Sequence, residues 1–183
     1  MKKLILCSSS QRRKLLVKKF KCPYVIFSPD VDESTAVSNP VDLVKKLAYK
    51  KALEGAKKYS SGIALGVDTI VVLNGEIIGK PLNSKDAEKI LGKLNGTTHK
   101  VYSGFALIDC KSLKTVCTHE VTKVKMRRLN KERVKELSSK HLDKAGAYAV
   151  QEKDDAFVEK ISGDYYNVVG LPIKKISRYL KAF

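Results

Sequence analysis

Eleven consecutive residues, Ile63-Ala64-Leu65-Gly66-Val67-Asp68-Thr69-Ile70-Val71-Val72-Leu73, form an apolar run broken near its centre by one carboxylate. A run of this kind predicts a strand buried on both faces, which requires a sheet packed between helices. A charged group there is expensive unless something pairs with it. Sequences break their own local rules mostly at functional sites, so Asp68 is the first candidate for chemistry. An aspartate that caps a turn or pairs with a structural lysine satisfies the same pattern. This segment alone leaves both readings open.

The rest of the chain supplies the layers such a strand needs. Lys3–Cys7 and Tyr24–Ser28 read as short strands around a helix at Ser10–Phe20. Asn39-Pro40 opens a second helix with a capping side chain and a proline at its first position, and Leu43, Leu47, Ala48 and Ala52 keep one apolar face to about Lys58. Asn74-Gly75 after the Asp68 strand is the strongest short hairpin signal, returning through Glu76-Ile77-Ile78. Ser84–Leu94 reads as a helix, Lys100–Asp109 and Thr115–Arg128 as an antiparallel pair, and Asn130–Ser139 as a charged helix. Ala147–Gln151 and Ala156–Ile161 read as short strands and Pro172–Leu180 as a closing helix. Two β-α passes followed by a long hairpin predict an α/β fold: a mixed sheet with helices around it, in one continuous two-lobed domain over residues 1–183.

Composition narrows the function classes. With 43% hydrophobic and 30% charged residues, the 183-residue chain is that of a soluble globular protein with one sizeable core. The start Met1-Lys2-Lys3-Leu4-Ile5-Leu6-Cys7 runs straight into serines and arginines, so it lacks the apolar stretch of a signal peptide. A cytoplasmic location without a membrane partner is expected. Cys7, Cys22, Cys110 and Cys117 form no Cys-x-x-Cys pair and are expected as reduced thiols, and the three histidines show no metal-binding spacing. The net charge of +17 attracts polyanions in general, including nucleic acid and nucleotides. The absence of Trp weakens a stacking platform for single strands.

Three segments offer sites for an anion or a cation. Ser8-Ser9-Ser10 precede a helix start, where free N–H groups and the helix dipole favour negative charge. Arg12 and Arg13 lie in the first turn, the wrong end for cations, a conflict that a bound phosphate removes. An N-cap followed by surface arginines is the plainer alternative. Gly75-Glu76-Ile77-Ile78-Gly79-Lys80-Pro81 resembles a Walker A loop, but it is one residue short, has Pro81 in place of the metal-binding hydroxyl and starts in a hairpin. Lys80 remains a cation on a stiffened backbone. Glu33, in the acidic loop Pro29-Asp30-Val31-Asp32-Glu33-Ser34, could join Asp68 in holding Mg²⁺ or Mn²⁺ through oxygen ligands.

Together these segments resemble the Maf family of nucleoside triphosphate pyrophosphatases. The resemblance rests on Leu6-Cys7-Ser8-Ser9-Ser10-Gln11-Arg12-Arg13, Val31-Asp32-Glu33, Leu47-Ala48-Tyr49-Lys50-Lys51-Ala52 and Gly66-Val67-Asp68-Thr69. It continues through Gly79-Lys80-Pro81, Leu94-Asn95-Gly96-Thr97-Thr98-His99, the stretch Asp143 to Gln151, and Asn167-Val168-Val169-Gly170-Leu171-Pro172. It implies an inosine-triphosphatase-like fold around a deep cleft, a homodimer, and cleavage of a nucleoside triphosphate to monophosphate and pyrophosphate. The proton acceptor falls on Asp68, and Arg12, Thr69 and Gln151 fall on positions tied to base choice, in a combination similar to the dTTP/UTP branch. Ser8, Ser10, Arg12, Arg13, Lys51 and Lys80 would cradle the triphosphate, with a divalent metal on Glu33 and Asp68. The implied role is housecleaning of the nucleotide pool, with a link to cell division. Gln11, Val67 and Glu152 depart from the usual family residues. The rival from another class is a basic nucleic-acid-binding protein without catalysis, and a Maf enzyme of different base preference is a further alternative.

Overall fold

The computed structural model describes residues 2–150 and 157–183. Its strands are β1 (Leu4–Cys7), β2 (Tyr24–Phe27), β3 (Ile63–Leu73), β4 (Glu76–Ile78), β5 (Thr98–Asp109), β6 (Thr115–Met126) and β7 (Val158–Ser162). Its α-helices are α1 (Gln11–Leu16), α2 (Pro40–Lys58), α3 (Ser84–Leu94), α4 (Lys131–Leu137), α5 (Tyr165–Val169) and α6 (Ile173–Leu180). The mixed sheet has the order β2-β1-β3-β5-β6-β7, with β4 paired to β3. β1 pairs in parallel with both β2 and β3, aligning Leu4 with Tyr24 and Ile63, and β4 and β7 pair antiparallel. This is the mixed sheet with flanking helices expected from the sequence.

The chain forms two compact units. The first comprises residues 1–69, 103–120 and 170–183, and the second residues 70–102 and 121–169. In the first unit the pleat sorts side chains onto two cores. Leu4 and Leu6 of β1, Leu65 and Val67 of β3, and Phe105 and Leu107 of β5 pack with Val17, Phe20 and Ile176. Their neighbours Ile5, Cys7, Ala64, Ala106 and Ile108 face the other way, toward Ala48, Ala52 and Ala56 of α2. Two glycines let α2 lie against the strands. A Cβ on Gly66 would sit 2.0 Å from the Ala48 carbonyl oxygen, and one on Gly104 would sit 2.3 Å from that of Val44. α2 starts where the sequence predicts, with Asn39 Oδ1 accepting from the backbone N–H groups of Val41 and Asp42. Such a cap contributes about 1 kcal/mol.

The second unit is built on Ala87, Leu91 and Leu94 of α3, Val134 and Leu137 of α4, and Ile78, Val101, Val124 and Met126 of the strands. The Asn74-Gly75 hairpin forms as expected, with φ of 49° and 88° and Leu73 opposite Glu76. Three local expectations fail. The helix expected at Ser10–Phe20 is α only to Leu16 and tightens to a 3₁₀ turn over Val17–Phe20. That turn carries both Val17 and Phe20 into one core, because side chains three apart eclipse in a 3₁₀ helix. The strand expected over Ala147–Gln151 does not form across its described residues 147–150, where Ala147 follows Gly146 in the left-handed region, with φ of 57° and 77°. α5, just before the closing helix, was not expected. All four cysteines are free thiols.

Candidate active site

Asp68 follows Ala64 and Gly66 in the strand's alternation, so its side chain leaves β3 on the α2 side. Gly66 draws the α2 backbone in, and one turn's length along that helix Lys51 meets the carboxylate. Lys51 Nζ donates to Asp68 Oδ1 at 2.7 Å, and both residues are buried. The same ammonium lies 2.6 Å from Glu33 Oε1. The structure therefore selects a lysine partner for Asp68 and adds a second carboxylate to the pair.

Glu33 is held from a loop that two other lysines of α2 anchor. Lys50 Nζ donates to the Asp32 carbonyl oxygen at 2.8 Å, and Lys46 Nζ to Thr35 Oγ1 at 3.0 Å. Asp32 tightens the bend by accepting from the backbone N–H and the hydroxyl of Ser34, each at 2.8 Å. These bonds hold the Asp32 carboxyl below its ordinary range. Lys46 and Lys50 thus help to position Glu33.

Thr69 points to the opposite face of β3, with Val67 and Leu65. Its Oγ1 accepts from Arg13 Nη2 at 3.0 Å and lies 2.8 Å from the hydroxyl of the fully buried Ser103 on β5. Arg13 also donates through Nε to the Gly170 carbonyl oxygen at 2.8 Å and through Nη1 to Ser8 Oγ at 3.3 Å. One guanidinium thereby ties the β1–α1 turn, β3 and the start of the C-terminal segment together. Burial pulls its pKa down to about 10, with nearby Asp68 opposing, so it keeps its charge at neutral pH. Ser8 is buried, its N–H donating to the Phe27 carbonyl oxygen at 2.8 Å while its Oγ accepts from the Ser10 N–H at 3.3 Å. Ser10 occupies the N-cap position of α1 but makes no side-chain capping bond. Arg12 is half-buried in the first turn of α1.

Ser8, Ser10, Arg12, Arg13, Glu33, Lys51, Asp68 and Thr69 all belong to the first unit. Lys80 belongs to the second, exposed just beyond β4, where the Gly146 N–H donates to the Gly79 carbonyl oxygen at 3.1 Å. Gln151 lies outside the described residues. Sequence reasoning missed Ser103 and the Gly170 carbonyl. A serine beside Gly104 in an otherwise apolar stretch of β5 was the available signal for the first.

The carboxylate pair suits a hard divalent cation, since Glu33 and Asp68 already converge on one positive charge. Among the described residues no cluster of three or more His, Cys, Asp or Glu assembles, so phosphate oxygens and water would complete such a site. Cys7 does not add chemistry, because burial pushes its thiol up to about 12.

Known proteins match this chain along nearly its whole length. Solved structures supply the fold: the Staphylococcus aureus Ham1 protein superimposes with a TM-score of 0.59 over 99% of both chains, at 16% identity. Among curated relatives, a dTTP/UTP pyrophosphatase of Bacillus cereus strain G9842 is 45% identical over 100% of this chain and 96% of its own. One of Elusimicrobium minutum is 41% identical over 99% of this chain and 98% of its own. The family model described as Maf-like protein matches residues 3–183, which covers the Asp68 strand, the Lys51 helix and the Arg13 turn alike. On this full-length match the chain belongs to the Maf-like protein family.

Proposed function

We propose that the protein hydrolyses dTTP and UTP between the α and β phosphates, releasing the monophosphate and pyrophosphate. The observation that carries this reading is Asp68, a buried carboxylate on a sheet strand with a cation and a second carboxylate beside it. Relatives that carry the dTTP/UTP pyrophosphatase name match over the whole chain, which supports the same substrate here.

In the proposed mechanism Asp68 accepts the proton of the attacking water as general base. Lys51 pairs with the carboxylate before the reaction and offsets phosphate charge during it. Ser8, Ser10 and Arg12 bind phosphate oxygens by charge-assisted and neutral hydrogen bonds, and Lys80 contributes a further cation. Arg13 adds its charge from behind Ser8 while holding Thr69. Thr69, Arg12 and Gln151 select the base. A Mg²⁺ or Mn²⁺ ion held by Glu33 and Asp68 would acidify the water and neutralise the triphosphate.

One domain spanning residues 1–183 suffices for this activity, in keeping with the extent of the family match. No helix among the described residues is long and apolar enough to cross a membrane. The working form we propose is a cytoplasmic homodimer that clears unwanted pyrimidine triphosphates, with nucleic acid as a minor partner at most. Product analysis by phosphorus NMR tests the reaction. Monophosphate plus pyrophosphate from dTTP supports the reading; orthophosphate, or no product in the presence of Mg²⁺ and Mn²⁺, overturns it.

A further inference from the structure

A cavity of about 530 Å³ opens in the first unit, where β1 and β3 begin. Leu4 and Ile63, the paired first residues of those strands, line it with Phe20 and with Leu180 of α6. Ser8 and Asp68 lie further along the same strands, past the paired residues Cys7 and Gly66, so the cavity is separate from the proposed active site. Protein interiors pack as densely as organic crystals, with few voids larger than a water molecule. A space of this volume belongs instead to the range of small-molecule sites.

The lining is graded. Leu4 and Ile63 are 1% and 3% exposed, whereas the Lys2 side chain is 52% exposed and Lys181 is exposed as well. The floor is therefore apolar and the rim cationic. Lys2 is paired with Asp109 at 2.6 Å. Lys114 adds a further charge at the rim, 5.2 Å from the ring centroid of the lining residue Phe183, and donates to the neutral Ala182 carbonyl oxygen. Three ammonium groups thus face one side-chain carboxylate. Burial raises the pKa of the Cys22 thiol, which also lines the cavity, as an apolar wall does. A nucleotide would strand its polar atoms against these walls, since Ser177 carries the one hydroxyl in the lining among the described residues. A cationic ligand would meet like charge at the rim. An alkyl chain ending in an anion satisfies both parts.

We propose that this cavity is a second binding site, for a medium-chain alkyl carboxylate whose tail packs on Leu4, Phe20, Ile63 and Leu180 and whose carboxylate meets Lys181 at the rim.

The test is calorimetric titration of the wild-type chain with decanoate, kept below the concentration at which it forms micelles. One saturable site per chain should appear, unchanged by dTTP. Decanol, with the same tail and no charge, should bind about tenfold more weakly, as should decanoate to Lys181→Glu. Ser177→Trp, which fills the cavity from α6, should abolish binding. A second readout needs no variant: decanoate should protect Cys22 from iodoacetamide, followed by peptide mass spectrometry, and leave Cys117 as reactive as before. No saturable binding, or binding that leaves Cys22 unprotected, overturns the site. Displacement of decanoate by dTTP also overturns it, since the ligand would then occupy the nucleotide site. Decanol binding as tightly as decanoate overturns the proposed ligand, because the rim would then not read charge.

Discussion

Asp68 and His99 are both buried on strands of this sheet, and they are treated in opposite ways. Asp68 on β3 is given a charged partner, Lys51, which a second carboxylate also reaches. His99 on β5 is given a neutral one: its Nε2 lies 2.7 Å from the Tyr148 hydroxyl, with the two rings edge to face. Among the described residues no counter-ion favours a charged imidazole, and burial pulls His99 down to about 4. Its buried Nδ1 has no hydrogen-bond partner among the described residues. The contrast separates a site from a strut. Asp68 sits with an ammonium and a second carboxylate inside the fold, whereas burial disfavours a charged His99, which joins β5 to the turn at Ala145–Ala147 through Tyr148.

The contrast can be broken first at Asp68. Asp68→Asn preserves shape and leaves Lys51 its bond to Glu33, so the variant should fold and bind dTTP. Its kcat should fall by roughly 10²–10⁴-fold, the range for losing a general base. Steady-state assays beside a nucleotide titration check this, and wild-type kcat would remove Asp68 from the chemistry. Next is its partner. Lys51→Met leaves a buried carboxylate without its ion pair, which should cost about 3–5 kcal/mol in urea unfolding. A loss below 1 kcal/mol would mean that the pair behaves as an exposed one does.

At His99 the prediction concerns pH. The unfolded histidine takes up its proton near 6.5 and the folded one near 4, so between these values the unfolded state binds more protons. Stability from this group is therefore intact above 6.5, declines as pH falls, and is lost by about 4, a total on the order of 3 kcal/mol. His99→Gln should flatten that part of the stability curve against the wild type; an identical slope would show that the histidine does not drive it. The smallest effect belongs to Tyr148→Phe, which removes one neutral hydrogen bond and should cost about 1–2 kcal/mol with little change in the pH slope. Urea midpoints at pH 7 and pH 5 read both.

How far the sequence carries depends on which contacts are local. The apolar run made β3 and the oddity of Asp68 visible, and Asn74-Gly75 and Asn39-Pro40 marked a hairpin and a helix start by their own backbone preferences. Lys51 was matched to phosphate by family resemblance, and only the packing permitted by Gly66 and Gly104 shows it between two carboxylates. The Arg13 bonds to Gly170 and Thr69 span 157 and 56 residues, so no local pattern could announce them. Ala147 misled for a different reason. Its apolar neighbours suggested a strand, but the left-handed φ it shares with Gly146 is set by the turn those residues form.

The central claim is that a water activated by Asp68 attacks the α-phosphorus. Turnover of dTTP in water enriched in oxygen-18, followed by phosphorus NMR of both products, tests it in one experiment. The label should enter the monophosphate alone and leave the pyrophosphate unlabelled. Label in the pyrophosphate would place the attack on the β-phosphorus and contradict the account.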